Sequence, residues 1–129
     1  MTIERFGSGG PWEASIGYSR VVVAGPFAIT AGTTATVDGQ VGPVGDPHGQ
    51  TRVALGIALD ALAKAGTTPE QVIRTRMYVT DIAHLDEVGR AHGEVFGEIR
   101  PVATMVAVAA LAHPDHLVEV EIEAYRGES

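Results

Sequence analysis

The sequence predicts an α+β protein in which two helices cover one face of a mixed sheet of about six strands. Two segments carry apolar residues at helical spacing, and most other periodic segments alternate apolar and polar residues as strands do. Two helices can cover only one face of such a sheet, so the opposite face is expected to be open. With 129 residues, 45% of them hydrophobic, the chain is predicted to form one domain over residues 1–129.

The first third of the chain is predicted to contain the first strands. Residues 20–24 and 27–31 are rich in β-branched and apolar side chains and flank a Gly-Pro pair typical of a hairpin turn. Residues 33–41 are predicted to extend the sheet, with an Asp-Gly turn inside them. Before these strands, residues 7–15 combine glycine, proline and serine and are predicted to form an irregular loop. Trp12 in that loop is expected to pack over the sheet; a flap over a pocket is the alternative.

The two predicted helices span residues 47–65 and 84–96. Asp46 precedes a proline, which is typical of an N-cap followed by the first helical residue. Gly66 fits the position just beyond the C-terminus of that helix. Each helix carries an apolar stripe that is expected to lie on the sheet. His92 interrupts the second stripe, and we expect a packed core or interface histidine there rather than a catalyst.

Three further strands are predicted over residues 72–80, 102–109 and 117–125. The first and the last alternate, so their charged side chains should share the open face. In the middle strand, the valines and Thr104 are assigned to the helix side and the remaining residues to the open side. The open face is thus predicted to carry these side chains: Arg74, Arg76, Tyr78, Ala103, Met105, Ala107, Ala109, Glu119, Glu121 and Glu123.

Three glutamates at alternate positions place like charges on one face of a single strand. Charges so close repel one another, and covering them is costly. Such a face persists if it stays hydrated, if cations pair with it, or if one carboxylate has a chemical role. The neighbouring row of small side chains forms a flat surface, which predicts that subunits associate through the open face.

The composition excludes or disfavours several classes of function. The chain has no cysteines, which excludes disulfides, thiolate metal sites and a cysteine nucleophile, and favours a cytoplasmic location. A net charge of -7 disfavours a nucleic-acid partner. No apolar run approaches the roughly 18 residues of a membrane span, and no secretory signal is visible, so no membrane partner is expected. His113 and His116 have the spacing of metal ligands without a third one, and a solvated turn is expected there.

Two segments near the end of the chain resemble the C-terminal signature of the RidA/YjgF family, the reactive-intermediate imine deaminases. They are residues 101–104, Pro-Val-Ala-Thr, and residues 120–124, Val-Glu-Ile-Glu-Ala. The likeness extends over nearly the whole chain, in the order found in the family. Its other motifs are Gly17-Tyr18, Ile29–Gly32, Gln50-Thr51 and Val79–Asp81.

This resemblance implies a chorismate-mutase-like fold and a homotrimer with a small-molecule cleft at each subunit boundary. The family's deaminases hydrolyse 2-imino or 2-enamino acids to 2-keto acids and ammonia, without a metal or organic cofactor. Glu121 matches the family glutamate that activates water, and Tyr18 matches the family tyrosine in the cleft. These two residues are therefore the predicted catalytic pair. A structural ion pair is the alternative role of Glu121, and Glu119 and Glu123 share its face.

The resemblance also implies the substrate-binding residues. Ala31 and Gly32 match a pair whose backbone lines the pocket, and the backbone N–H groups of Thr104 and Met105 could aim at it. Hydrogen bonding within the strand ladder is the alternative role of these two N–H groups, and the favoured one. Ala103 occupies the position of the arginine that binds the substrate carboxylate in the family. A methyl group cannot replace that charged fork, so an altered substrate is expected.

Arg76 is the predicted substitute for the absent arginine, because it is assigned to the same face as Glu121. Its alternative role is a structural ion pair with one of the three strand glutamates. The sequence therefore leaves two functions open, and it contains no feature that bears on a third, the chaperone-like or stress-response role that the resemblance also implies. One is the hydrolysis of reactive imines or enamines with an altered substrate, and the other is non-catalytic binding of a small molecule by a trimer of the same fold.

Overall fold

The computed structural model, which describes residues 2–127, contains one mixed sheet with two helices packed against one face. Both helices and most strands lie close to their predicted positions. The helices are α1 (Pro47–Lys64) and α2 (Leu85–Phe96). The strands are β1 (Ile3–Phe6), β2 (Val21–Ala24), β3 (Phe27–Thr30), β4 (Thr33–Thr34), β5 (Thr36–Val37), β6 (Gln40–Val41), β7 (Val72–Val79), β8 (Val102–Ala107) and β9 (Val118–Tyr125).

The strand order explains why the sheet is mixed. The order is β1-β2-β3-β9-β7-β8, and β4 pairs with β9 beside β3. All pairs in this sheet are antiparallel except β7 with β8, which α2 connects as a crossover helix. Strands β5 and β6 form a separate hairpin whose turn residues, Asp38 and Gly39, have φ values of 52° and 76°. The predicted mixed sheet of about six strands with two helices is confirmed.

The ends of α1 follow from its capping residues. The Asp46 side chain accepts a hydrogen bond from the Gly49 backbone N–H at 2.9 Å, and a proline occupies the first helical position. Gly66, just beyond the helix, has a φ of 80°, which a residue without a side chain adopts at little cost. One face of the helix is fully buried on the sheet. That face includes Thr51, Leu55, Ala58 and Leu62.

The core lies between the helices and the sheet, and it leaves the other sheet face uncovered. The valine, isoleucine and alanine side chains of β9 are buried against the helices, so the alternating glutamates point to the opposite side. In α2, Val88 and Phe96 are buried, and His92 lies between them with its Nε2 2.8 Å from Thr75 Oγ1. Within residues 2–127, no helix is both long and apolar enough to cross a bilayer.

The edge strand β8 faces the opposite way from its prediction. Its register with β7 pairs Ala103 with Thr75 and Met105 with Met77, which places both on the helix side. Val102 and Val106, expected in the core, lie on the open face, where 60% and 42% of their surface is exposed. Because β8 is at the sheet edge, only Met105 packs against the core. With so little burial, apolar character does not determine the orientation of this strand.

Four smaller features also differ from the prediction. Strand β1 is absent from the prediction, and a wide helical turn, Glu13–Gly17, extends from the segment expected to be an irregular loop. Trp12 does not pack over the sheet, since 65% of its surface is exposed. Ile73 is exposed rather than buried because a bulge between Val72 and Arg74 shifts the register with β9.

Candidate functional site

A small cavity on the open face combines two of the three strand glutamates with a tyrosine. We call this cavity, which has a volume of about 220 Å³, the acidic notch. Its polar groups come from the centre of the sheet, and its apolar wall comes from the loop that follows β8. The lining residues are Gly32, Tyr78, Val108, Ala110, Leu111, Glu119 and Glu121.

Glu119 reaches into the acidic notch because Gly32 has no side chain. A Cβ atom at position 32 would lie 2.5 Å from Glu119 Oε2, well inside the contact distance of real atoms. The glycine therefore provides the space for this carboxyl group. Burial raises the pKa of Glu119, the neighbouring charge of Glu121 raises it further, and Arg20 lowers it in part. Glu119 is thus more readily protonated than an ordinary surface glutamate.

Glu121 is held in a different way, by the hydroxyl of Tyr78. That hydroxyl donates a short hydrogen bond to Glu121 Oε1 across the β7–β9 pair. The bond to Glu121, together with burial, raises the pKa of Tyr78, so the phenol remains a proton donor in this bond. The acidic notch therefore contains one carboxyl group with a raised pKa and one carboxyl group with a fixed orientation.

Arg20 links the acidic notch to its surroundings, a role that no sequence motif indicates. Its guanidinium donates to the backbone carbonyl of Gly32 at 2.9 Å and to Thr33 Oγ1 at 3.1 Å. It also donates to the hydroxyl of Tyr18 at 3.4 Å and lies 3.8 Å from the carboxylate of Glu13. A local pattern cannot reveal these contacts, because they bring together residues from three separate segments.

Arg76 lies on the open face but does not line the acidic notch. Its Nη1 lies 2.8 Å from Glu123 Oε1, and Arg74 Nε lies 3.8 Å from the other oxygen of the same carboxylate. Glu123 therefore has two cationic neighbours. Of the three glutamates that the sequence could not separate, Glu119 and Glu121 line the notch and Glu123 does not.

Tyr18 and Ala31 lie in a second, wider cavity, which we call the broad depression. It has a volume of about 710 Å³ and is very open to solvent. Arg5, Val22 and Ile29 contribute to it from the open face of β1, β2 and β3. The predicted site residues are thus divided within one chain, with Gly32 and Glu121 in the acidic notch and Tyr18 and Ala31 in the broad depression.

The three predicted binding residues of β8 lie outside both cavities. Thr104 is on the open face beside Arg76, contrary to its assignment to the helix side. Ala103 and Met105 are on the helix side for the reason given above, so their side chains do not share a face with Glu121. The expectation that Ala103 and Arg76 share a face is therefore wrong.

A buried glutamine fixes the end of the loop that forms the apolar wall. Gln50 in α1 is 0% exposed, and its Nε2 donates to the carbonyls of Pro43 and Asp115 at 3.0 and 2.9 Å. Its Oε1 accepts from the backbone N–H of Leu117 at 2.9 Å. In the same loop, His116 is 7% exposed, with its Nε2 2.9 Å from Thr36 Oγ1, so the expectation of a fully solvated turn is wrong.

Comparisons with known proteins decide the family. Residues 11–126 match the family model described as Endoribonuclease L-PSP, which represents the YjgF/RidA proteins. This chain belongs to the YjgF/RidA family. The resemblance inferred from the sequence motifs is therefore confirmed.

Two relatives and one solved structure illustrate how close the match is. An uncharacterized protein of Streptomyces coelicolor is 46% identical over 125 residues, covering 97% of this chain and 93% of its own length. A RutC family protein of Pyrococcus horikoshii is 32% identical over 111 residues, covering 84% and 86% of the two chains. A crystal structure of a YjgF/YER057c/UK114 family member from Mycobacterium tuberculosis is 46% identical, with a TM-score of 0.87 and coverage of 96% and 99%.

The raised pKa of Glu119 gives this YjgF/RidA protein a testable pH dependence of stability. Because the folded state holds the Glu119 proton more tightly than the unfolded state, stability falls as the pH rises through the raised pKa. Replacement by glutamine removes the free-energy cost of burying the charged carboxylate and keeps the size of the side chain. We expect Glu119→Gln to raise the free energy of unfolding at pH 7.5 by up to about 1 kcal/mol, since solvent screens part of the effect.

Urea denaturation at pH 7.5 and at pH 4 measures this difference. The gain should shrink at the lower pH, where wild-type Glu119 is protonated. Glu98→Gln makes the same chemical change at an exposed position and should leave stability unchanged at pH 7.5. A Glu119→Gln protein less stable than wild type at pH 7.5 would contradict the prediction.

Proposed function

We propose that this YjgF/RidA protein hydrolyses a reactive imine or enamine to a carbonyl compound and ammonia in the acidic notch. The observation that carries the proposal is the pairing of unlike carboxyl groups in one cavity. Burial raises the pKa of Glu119, while Glu121 is held by the Tyr78 hydroxyl. Two carboxyl groups in different environments supply the acid and the base that imine hydrolysis needs.

The proposed reaction has three proton transfers, two of which involve the carboxyl groups. Glu121 accepts a proton from water as the water oxygen forms a bond to the carbon of the protonated imine, which gives a neutral carbinolamine. Glu119 then donates its proton to the nitrogen. The carbon–nitrogen bond breaks while the carbinolamine hydroxyl loses its proton to solvent, so that ammonia leaves and the carbonyl product retains the water oxygen. The proton on Glu121 returns through solvent to Glu119. An enamine enters the same sequence after protonation at carbon.

Tyr18 and Ala31 enter this proposal through a second subunit. Exposed apolar side chains of the open face, including Ile29 and Val106, favour contact between open faces of copies of the chain, and the number of three is carried over from the family resemblance. In such a homotrimer, the broad depression of one subunit could close over the acidic notch of its neighbour. Tyr18 would then orient the substrate.

The proposed location of this reaction is the cytoplasm, because the lack of cysteines fits a reducing compartment.

Ribonuclease activity, which the description of the family model names, is poorly suited to this cavity. Two carboxyl groups line the notch, and the whole chain has a net charge of -7. Both repel a phosphate backbone. The proposed substrate is therefore a small molecule rather than RNA.

A coupled assay tests the proposal. An amine oxidase generates imines without a carboxylate, and an amino-acid oxidase generates imines with one. Catalase removes the peroxide, and semicarbazide traps the imine that remains. We expect the protein to decrease the trapped imine in a saturable manner, at a rate proportional to its concentration. If the protein accelerates the loss of none of these imines, the proposed enzymatic activity is contradicted. The remaining function is then non-catalytic binding of a small molecule by the same fold.

A further inference from the structure

The side chains that line the acidic notch include two carboxyl groups but no lysine, arginine or histidine. Glu119 and Glu121 supply up to two negative charges, and the hydroxyl of Tyr78 is committed to Glu121. Within residues 2–127, neither glutamate has a lysine, arginine or histidine nitrogen within 4.0 Å. A substrate therefore meets an electrostatic potential that favours positive charge.

The arginines nearest to the notch already have other partners. Arg76 contacts Glu123 at 2.8 Å, and Arg20 donates to the Gly32 carbonyl at 2.9 Å and to Thr33. Moving either guanidinium to a substrate carboxylate would break these contacts. The remaining wall of the notch is apolar, formed by Val108, Ala110 and Leu111. Among the described residues of one chain, no side chain that lines the cavity carries a positive charge to pair with a carboxylate.

We propose that the acidic notch selects a cationic nitrogen, that of a protonated imine or amine, on a small apolar group that carries no carboxylate. This inference rests on the proposed use of the notch as the substrate site, and it specifies the substrate class. The nitrogen lies between Glu119 and Glu121, and the apolar group contacts the wall formed by the loop after β8. A volume of about 220 Å³ suits a small ligand, such as a single ring.

The geometry predicts the order of affinity within a matched set of ligands. A cation between two carboxyl groups gains Coulomb energy in a partly dry cavity, a neutral ring of the same shape gains none, and an added carboxylate is repelled. Added salt should decrease this difference in affinity only to the extent that water and ions enter the notch and screen its charges.

Three stable ring compounds serve as probes, so that binding is measured separately from hydrolysis. Piperidine is protonated at pH 7.5, tetrahydropyran has the same ring without charge, and piperidine-2-carboxylate adds the carboxylate. Titrations of the full-length protein, followed by the backbone amide signals of Gly32, Glu119 and Glu121, give the dissociation constants. We expect piperidine to bind at least about tenfold more tightly than either of the other probes.

Two variants locate the source of the selectivity. Glu119→Gln should reduce the preference for piperidine over tetrahydropyran to less than about threefold, because one of the two carboxyl groups is lost. Glu98→Gln removes the same charge from the exposed segment after α2 and should leave the preference unchanged. An equal loss of preference in both variants would mean that overall charge, and not the notch, attracts the cation, and would overturn the proposal.

The assay of imine hydrolysis and the titrations can fail independently. Tetrahydropyran or piperidine-2-carboxylate binding as tightly as piperidine would overturn the cationic preference, even if imines are hydrolysed. A clear preference for piperidine that depends on Glu119 would support it, even if no imine is hydrolysed, and would then refute only the proposed reaction.

Discussion

Replacing Glu121 with glutamine is expected to decrease the rate of imine hydrolysis by at least about 100-fold, because a neutral amide cannot accept a proton from water. The glutamine keeps the size of the side chain and can still accept a hydrogen bond from Tyr78. The loss should therefore appear mainly in kcat, and the removal of one negative charge from the notch should also raise the KM for a cationic imine. Steady-state kinetics with the trapped-imine assay measure both constants.

Two further variants show whether the effect belongs to the notch. Tyr78→Phe removes the hydrogen bond that orients Glu121, and we expect a smaller decrease in kcat of about tenfold. Glu123→Gln makes the same change on the same face of β9, but at a residue held by Arg76. A comparable decrease in kcat for Glu121→Gln and Glu123→Gln would contradict the assignment of Glu121 as the base.

The proton on Glu119 sets the pH dependence of the same reaction. Because its pKa is raised, Glu119 remains a proton donor at a higher pH than an ordinary glutamate, and the rate should fall as the pH rises through that value. In Glu119→Gln, this decline should disappear together with most of the activity. An unchanged decline in Glu119→Gln would assign the titration to another group.

Replacing Gln50 with leucine is expected to produce the largest loss of stability among the substitutions considered, about 3 kcal/mol. The leucine has a similar volume but cannot form the three hydrogen bonds of the buried amide. The carbonyls of Pro43 and Asp115 and the N–H of Leu117 would then lose a partner inside the protein. The cost of such unpaired groups exceeds the small gain from an extra apolar side chain.

Urea denaturation of Gln50→Leu and Gln40→Leu measures this effect against a matched control. Gln40 is exposed on β6, and its replacement should change the free energy of unfolding by less than about 0.5 kcal/mol. A loss below 1 kcal/mol for Gln50→Leu would contradict the role of its hydrogen bonds. Because Gln50 also anchors the loop that carries Ala110 and Leu111, the variant should bind piperidine more weakly as well.

Burial explains why some of the architecture could be predicted from the sequence and some could not. In β9, one face is fully buried, so the alternation of valine and glutamate determines which side chains reach the open face. Strand β8 is at the edge and has little burial on either face, so its alternation contains no such information. The predicted positions of Ala103, Thr104 and Met105 are wrong for this reason.

The acidic notch depends on contacts across strands that a single strand does not reveal. Alternation places Glu119, Glu121 and Glu123 on one face, but the register of β9 with β7 decides which of them meets Tyr78 or Arg76. Arg20 poses a similar problem, because its long side chain contacts a carbonyl twelve residues away in the sequence. These relations arise only when the strands are aligned, so the sequence motifs could identify the family but not the arrangement of the notch.

The absence of a side chain at Gly32 determines how a substitution there would change the acidic notch. Its α-carbon hydrogens face a carboxylate whose oxygen would lie 2.5 Å from an added methyl group. Even alanine there would force the Glu119 side chain toward solvent, where its proton affinity would return to that of an ordinary acid. Gly32 contributes no functional group, but the space beside it keeps Glu119 in the notch and so controls the acid–base character of the cavity.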